Sequence, residues 1–437
     1  MVLEANEKKP AERSEFDKEI LKVDERFNLV FNVLSGNYLK IFPKKDDPSK
    51  TWFNPNHDFK DFEEEEARFA KGIIPLYFVN IQNAKATGEW AEAEDTLAYI
   101  QKYQNVLASD IIPSKERIEA ELWYNNLNLN FWLFQAYFTL GLILLILALL
   151  KIFYNKTWLN GLLNLIIVFT LVAFLLHSFN LILRWYIAGH PPWSNGYEMI
   201  VFVSWGLMLF GLIFFRNSDF TLPLASIFAG TLLFVSYLDW LSPEITNLMP
   251  VLKSYWLKIH VATIISSYAP LALSALLGLM AQVMIIFRNK SNYKLLNLKI
   301  KELSYINEMS MTLGLFILSI GTFLGGIWAN ESWGRYWAWD PKETWALISI
   351  IVYAIVLHMR LIPKLNNDLV VNTASTFAFF SIVMTSFGVN YYLTGLHSYA
   401  TGDPVPIPNF VYVCVAVLLF IAMLSFWRFK LDSKRFD

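Results

Sequence analysis

The sequence is poor in the residues from which most soluble active sites are built. It has a single cysteine, Cys414, in 437 residues. No intrachain disulfide and no thiolate metal site can therefore form, and without a Cys-x-x-Cys pair the chain alone cannot act as a dithiol oxidoreductase. Charge is also scarce: Asp, Glu, Lys and Arg make up 17% of the chain and sum to a net charge of −1. No nucleic-acid partner is expected. Histidines number only six, so each one that lies in an apolar setting can be weighed individually.

What is abundant is apolar and aromatic: 55% hydrophobic residues and 16% Phe, Trp and Tyr. From about residue 131 onward, uncharged runs repeat near 131–150, 158–183, 197–215, 220–238, 257–287, 309–327, 345–360, 369–393 and 409–427. A bilayer core of about 30 Å takes about 20 apolar residues to cross as a helix, so these runs predict an all-α polytopic membrane bundle of about nine spans. Residues 1–128 are a different material. Acidic, helix-favouring stretches such as Asp61–Arg68 alternate with loops punctuated by Pro43, Pro48 and Pro55. They predict a small, mostly helical domain with helices near 58–86, 89–108 and 113–128, followed by a first span within 129–155 and a membrane domain over 156–437. His57, in Asn-Pro-Asn-His-Asp, reads as a solvated loop residue.

Orientation follows from Lys and Arg in the short loops. One set of loops with the C-terminal tail carries Lys151, Lys156, Arg216, Arg288, Lys290, Lys294, Lys299, Lys301, Arg360, Lys364, Arg428, Lys430, Lys434 and Arg435. The other carries Arg184, Lys253, Lys258, Arg335 and Lys342. Fourteen against five places the first set and the C-terminus in the cytoplasm. An odd number of spans then places residues 1–128 outside, although residues 1–20 contain no apolar export signal.

One stretch organises the rest. Residues 328–345 hold Trp328, Trp333, Trp337, Trp339 and Trp345, with Tyr336 and the charges Glu331, Arg335, Asp340, Lys342 and Glu343, between apolar runs on either side. As plain structure, Asp340-Pro341-Lys342-Glu343 is a helix start, with an N-cap, proline at the first position and a capping box. The tryptophans would then form an interfacial belt. A belt does not require Trp333, Trp337 and Trp339 to crowd within seven residues around Gly334. A planar amphipathic ligand with an apolar face and acidic edges does.

The pattern Trp333-Gly334-x-x-Trp337-x-Trp339-Asp340-x-x-Glu343 resembles the WWD signature of haem-handling membrane proteins. Its continuation Asp-Pro-Lys-Glu-Thr-Trp resembles the CcsA (ResC) branch, the membrane subunit of system II cytochrome c synthases, over roughly residues 160 to 430. The resemblance implies haem b as cofactor, CcsB (ResB) and an apocytochrome c as partners with a thiol-reducing partner beside them, and residence in the inner (cytoplasmic) membrane among its lipids. It implies a haem lyase that presents haem to an apocytochrome Cys-x-x-Cys-His motif. In some bacteria CcsA is fused behind CcsB, which would make residues 1–150 the end of a CcsB-like half and account for the missing export signal.

Three histidines fall where such a protein needs them. His260, at the outer end of the fifth run, and His397, just past the outer end of the eighth, flank the tryptophan stretch on its side of the membrane. Neutral imidazoles from separate helices can hold one haem axially, and the CcsA pattern has its external ligands at motifs like these. Alternatively, each is an interfacial histidine bonded to a neighbouring loop. His358 lies about 26 Å along the helix that opens at Pro341, at about 1.5 Å per residue. Ionisable groups in a span mark sites by default. His358 matches the intramembrane haem ligand of the family, whose mate comes from CcsB, and Arg360 could meet a propionate. The other reading is a snorkelling end of helix. His177, mid-span, is a possible mate, but reads better as a packing residue bonded to a backbone carbonyl. Arg184-Trp…Trp193-Ser-Asn195-x-Tyr-Glu198 is a second external motif of the family. Asn195 and Glu198 read as a capping box there, Arg184 could pair with a carboxylate, and His190 reads as a loop residue. No general acid or base is identifiable, and Asp340 reads as a structural cap. Two rival functions stay open: a WWD-type haem exporter or chaperone without ligation activity, and a membrane scaffold whose aromatic loop docks a partner protein.

Overall fold

The computed structural model describes residues 1–8, 13–154, 156–238, 241–246, 254–393, 395 and 407–436, with side chains for all of these but 433–436. They form two compact units, Met1–Glu116 and Arg117–Asp437.

The first unit contains α1 (Val2–Glu7), α2 (Glu15–Leu34), a two-stranded antiparallel ribbon of β1 (Phe42–Pro43) and β2 (Trp52–Phe53), α3 (Glu64–Thr87) and α4 (Ala91–Leu107), and it ends inside α5 (Lys115–Leu127). The last three helices correspond to the expected ones. Helix α2 was not expected, although its start is written locally: the Ser14 hydroxyl accepts the Asp17 N–H at 3.2 Å and the Asp17 carboxylate accepts the Ser14 N–H at 2.9 Å. That is a reciprocal capping box. The small core gathers Phe42, Phe59, Phe62, Ala70, Ile73 and Ile100. His57 lies in a loop as expected, with 31% of its side chain exposed, but it also has fixed contacts. Its ring packs on Phe53 at 4.4 Å and on Phe59 at 5.2 Å, and its Nδ1 accepts the Phe59 N–H at 3.0 Å.

The second unit is the helical bundle: the rest of α5, then α6 (Leu129–Phe153), α7 (Thr157–Ala188), α8 (Gly196–Phe214), α9 (Thr221–Tyr237), α10 (Tyr255–Phe287), α11 (Tyr293–Trp333), α12 (Pro341–His358) and α13 (Asp368–Val383). A π turn at Met384–Gly388 leads into α14 (Val389–Tyr392), and α15 (Asn409–Phe436) follows. All nine apolar runs are helical. Among the described residues eight helices are long and apolar enough to cross a membrane, and α9 has 17 residues. Its neighbours explain how α9 still covers the distance. Asp219, just before it, bonds Lys151 near the end of α6 at 2.9 Å. Tyr237, at its end, meets Phe131 near the start of α6 at 5.2 Å. The helix with its flanking turn therefore matches about 20 residues of α6, or about 30 Å. The chain is a multi-pass membrane protein.

Helix α10 is the buried centre, and α11 runs antiparallel along it. Without a hydrophobic drive between helices in lipid, close approach of small residues gives the packing energy. Gly314, Gly321 and Gly325 of α11 face Leu271, Ile264 and His260 of α10. The intervals are seven and four residues on both helices, in opposite directions. A Cβ on any of the three glycines would fall within 3 Å of its neighbour. Deeper in the bundle a polar seam joins helices. Gln282 bonds Thr376 at 3.0 Å, and Asn307 bonds Asn372 and Ser375 at 2.7 Å each.

Candidate functional site

A cavity of about 580 Å³ lies at the end of the bundle where α10 begins, α11 ends and α12 begins. Ligand pockets typically measure about 300–1,000 Å³. Its walls come from five places in the chain: the segment before α8 with Trp193 and Asn195, the first turns of α10 from Leu257 to Tyr268, the last turns of α11 with Trp328 and Trp333, the Tyr336–Trp337 segment with the start of α12, and the π turn with Thr385 and Ser386. Wide turns of this kind recur at functional sites.

His260 is the polar group best fixed in this wall. Its Nδ1 lies 2.7 Å from the carbonyl oxygen of Gly321. A carbonyl only accepts, so Nδ1 carries the proton and Nε2 keeps its lone pair. Metal-ligating imidazoles are commonly set in this way, by a carbonyl on the other ring nitrogen. The ring packs on two residues one turn apart on α11. Trp328 lies nearly parallel to it, 10° between planes and 6.2 Å between centroids. A Cβ at Gly325 would stand 2.5 Å from its Cε1. Trp333 meets Trp328 edge-on at 4.7 Å, which carries the aromatic wall outward.

The tryptophan stretch is not one loop. Residues up to Trp333 end α11, and Gly334 caps it with φ at +70°. No neighbour lies within 4 Å of a Cβ at Gly334, so that glycine answers a backbone need only. Trp337 lines the cavity. Trp339, at φ +57°, is turned out of it and is 71% exposed. Helix α12 opens as the sequence predicts. Asp340 accepts the Lys342 N–H at 3.0 Å, and the Glu343 carboxylate accepts N–H bonds from Ala338 at 2.8 Å and Asp340 at 3.3 Å. Gly395 packs on this start, where its Cβ would reach 2.7 Å from Pro341 Cδ. His397 lies outside the described residues.

The motif around Arg184 forms a buried ion pair, with side chains 2% and 1% exposed. Arg184 donates to Glu198 at 2.9 Å and to the Pro243 carbonyl at 3.0 Å. The capping box expected of Asn195 and Glu198 is only half formed. Asn195 accepts the Glu198 N–H at 2.8 Å, but the Glu198 carboxylate reaches past it to the N–H and hydroxyl of Ser194, both at 2.7 Å. The salt bridge pulls the carboxylate towards α7, and Ser194 is the donor in reach. His190 is buried, and its ring nitrogens lie 3.2 Å from the Pro191 carbonyl and 3.1 Å from that of Thr246. These contacts tie the segments beside the cavity together. Asn195 lines it; Arg184 and Glu198 do not.

The other candidates lie elsewhere. His177 is fully buried against Tyr137, whose hydroxyl is 3.3 Å from Nδ1. His358 sits at the far end of α12 with its ring exposed on the flank of the bundle and Nδ1 on the Ala354 carbonyl at 2.7 Å. Arg360 is engaged by Glu308 at 2.7 Å and Asp368 at 2.8 Å, so a propionate there would meet a guanidinium that already has carboxylate partners. Among the cavity residues that the sequence reading did not propose as site residues are two cations, Lys258 and Lys342. Both entered it only as loop charges. The available signal was that each is a cation at the start of an apolar helix beside a candidate ligand or cap.

The family model described as cytochrome C assembly protein matches residues 193–397, a range that contains nearly all of the cavity wall. Protein NrfI of Wolinella succinogenes is 41% identical over 397 residues, which is 91% of this chain and 44% of that protein. The chain thus spans less than half the length of that relative. Cytochrome c biogenesis proteins CcsA of Prochlorococcus marinus strains MIT 9301 and AS9601 are 35% and 34% identical over 258 residues, 53% of this chain and 82% of each relative. With more than two thirds of those relatives covered, the chain belongs to the CcsA family of cytochrome c assembly proteins.

Proposed function

We propose that this chain is the haem-handling subunit of a cytochrome c haem lyase, acting with a CcsB subunit or half. Haem b is held in the cavity at the outer face of the cytoplasmic membrane and presented to the Cys-x-x-Cys-His motif of an apocytochrome c. The observation that carries this reading is the setting of His260: one tautomer fixed by the Gly321 carbonyl, the ring packed on Gly325 and Trp328 of α11, and an aromatic-walled cavity in front of it. His397 is the proposed second axial ligand, and Gly395, two residues before it, packs on the start of α12. Trp328, Trp333 and Trp337 would give the macrocycle its apolar faces.

The chemistry is addition of a cysteine thiol across each haem vinyl group, the sulfur to one vinyl carbon and the proton to the other. Holding the vinyl edge beside the peptide makes an encounter effectively intramolecular, which well-oriented systems exploit by about 7–11 kcal/mol. His358 is the proposed ligand of haem in transit near the cytoplasmic side. Its exposure on the outside of the bundle suits a mate supplied by CcsB. A thiol-reducing partner would keep the apocytochrome cysteines reactive. The charge asymmetry of the loops supports a cytoplasmic C-terminus.

The test is spectroscopic. The purified complex should carry haem b with a bis-histidine visible spectrum. His260→Gly should lose it, and free imidazole should restore it by refilling the vacated axial position. A colourless preparation from haem-replete cells, with no extractable haem, would overturn the reading.

A further inference from the structure

The five basic residues on the outer side run against the charge bias of the loops, so each calls for a local reason. Arg184 has one in its buried partner Glu198, and Arg335 stands exposed in the segment between α11 and α12. Lys253 lies outside the described residues. Lys258 and Lys342 both line the cavity of His260. Lys258, on the first turn of α10, has no carboxylate within ion-pair reach among the described residues. Lys342, on the first turn of α12, gives one of its three protons to the Asn390 side chain at 2.9 Å and has donors to spare. The one carboxylate in the wall, Glu343, is committed to the N–H groups of Ala338 and Asp340. The cavity therefore combines apolar aromatic faces with two ammonium groups, while the nearby carboxylate of Asp340, whose charge bears on Lys342, caps the start of α12. That is complementary to a flat ring system carrying two carboxylates.

We infer that Lys258 and Lys342 are positioning residues that grip the propionates of the porphyrin, and so decide which edge of the ring points out of the cavity. The inference rests on the haem reading above and deepens it. Protoporphyrin carries its propionates on one edge and its vinyl groups on the opposite side. An iron–imidazole bond fixes the centre of the ring but leaves it free to turn about the iron–nitrogen axis, and the tryptophan faces do not distinguish one edge from another. Two cations at the wall do. With the propionates held against the starts of α10 and α12, the vinyl edge faces away from them, where an apocytochrome can reach it.

The full chain, purified and freed of haem, is titrated with iron protoporphyrin IX and with its dimethyl ester, which keeps ring, iron and vinyl groups and removes both charges. The wild-type protein should bind the free acid about tenfold or more tightly than the ester, the scale of one charge-assisted hydrogen bond. Lys258→Gln and Lys342→Gln should each reduce this preference while leaving affinity for the ester unchanged, and Lys→Arg at either position should retain most of it. A wild-type protein that binds acid and ester equally well overturns the grip, even if neither glutamine variant folds. So does a preference that survives in both glutamine variants. If the wild-type protein binds neither porphyrin, the haem reading itself fails, an outcome distinct from the other two.

Discussion

Two histidines at opposite ends of one bundle show what fixes a ligand and what leaves it open. His260 and His358 each place Nδ1 2.7 Å from a backbone carbonyl, so both have the same tautomer. The carbonyl that holds His260 belongs to Gly321, on another helix and 61 residues away. That bond fixes the ring relative to the bundle, and Gly325 and Trp328 of the same helix pack on it. The carbonyl that holds His358 is Ala354, one turn back on its own helix. That bond sets only the rotamer, and the ring stays exposed. A site built on tertiary contacts is complete within the chain except for what enters it. A site built on a helix flank needs a second surface to close it.

The sharpest way to break this comparison is to remove each imidazole in turn. His358→Ala should leave haem absent from both positions if haem reaches the cavity by way of that end. His260→Gly should empty the outer site alone. Extractable haem and the visible spectrum of each purified variant decide it. A His358 variant with a fully loaded outer site would mean that haem arrives by another route.

The ion pairs at the two ends should differ almost as much. Arg184 with Glu198 is buried, and removing one partner of such a pair costs about 3–5 kcal/mol because the other charge is left unpaired. Arg360 is 23% exposed beside Glu308 and Asp368, where pairs are typically worth about 0–1 kcal/mol. Arg184→Met should therefore lower the thermal midpoint clearly and Arg360→Met barely. Equal losses would show that the outer pair is better solvated than its surroundings indicate.

Gly325→Ala tests how closely His260 is held. Inserting one methyl group into a packed contact costs about 1–3 kcal/mol. Here the group that must move is the imidazole, so haem occupancy should fall about 5- to 100-fold while the protein still accumulates in the membrane. Gly334→Ala, at a position with open space, should act through the backbone at its positive φ and leave the imidazole where it is. Quantified haem per protein separates the two.

The smallest contrast lies within the tryptophan stretch. Trp337 lines the cavity, and burying one large side chain is worth about 1.5–3 kcal/mol. Trp337→Ala should weaken haem binding about 10- to 100-fold, and imidazole should not restore it, because a face is lost and not an axial bond. Trp339 points away from the cavity, so Trp339→Ala should change haem affinity by about twofold or less, as surface substitutions do. Comparable losses at both positions would show that the 335–340 segment folds inward when haem is present.

Much of this was legible beforehand for a definite reason. Crossing a bilayer demands long apolar runs, so every span could be read from composition, including the one at 220–238 that forms only a 17-residue helix. The start of α12 was equally plain, because Asp340, Pro341 and Glu343 act on their own backbone within four residues. The Arg184 motif was half legible: that it wanted a carboxylate followed from charge, but that Glu198 would turn from Asn195 to Ser194 depends on where α7 stands. Helix α2 went unread although its Ser14–Asp17 cap was present and Phe16, Ile20, Val23, Phe27, Val30 and Leu34 repeat after it at helical intervals. The contacts of His57 were not legible because the phenylalanines it packs on come from a ribbon and a turn whose pairing no local pattern announces.

The sequence alone thus determined the membrane bundle, its orientation bias, the helix caps and the chemical character of the aromatic stretch, since all of these act over a few residues or sum over a window. Only the tertiary structure decided which nitrogen of His260 bears the proton, that Gly321 and Gly325 seat that ring, that Trp328 stacks on it while Trp339 faces away, and that Lys258 and Lys342 line one cavity. Each of these depends on two helices distant in the chain approaching within a few ångströms, and the close packing that sets such distances is a property of the assembled bundle.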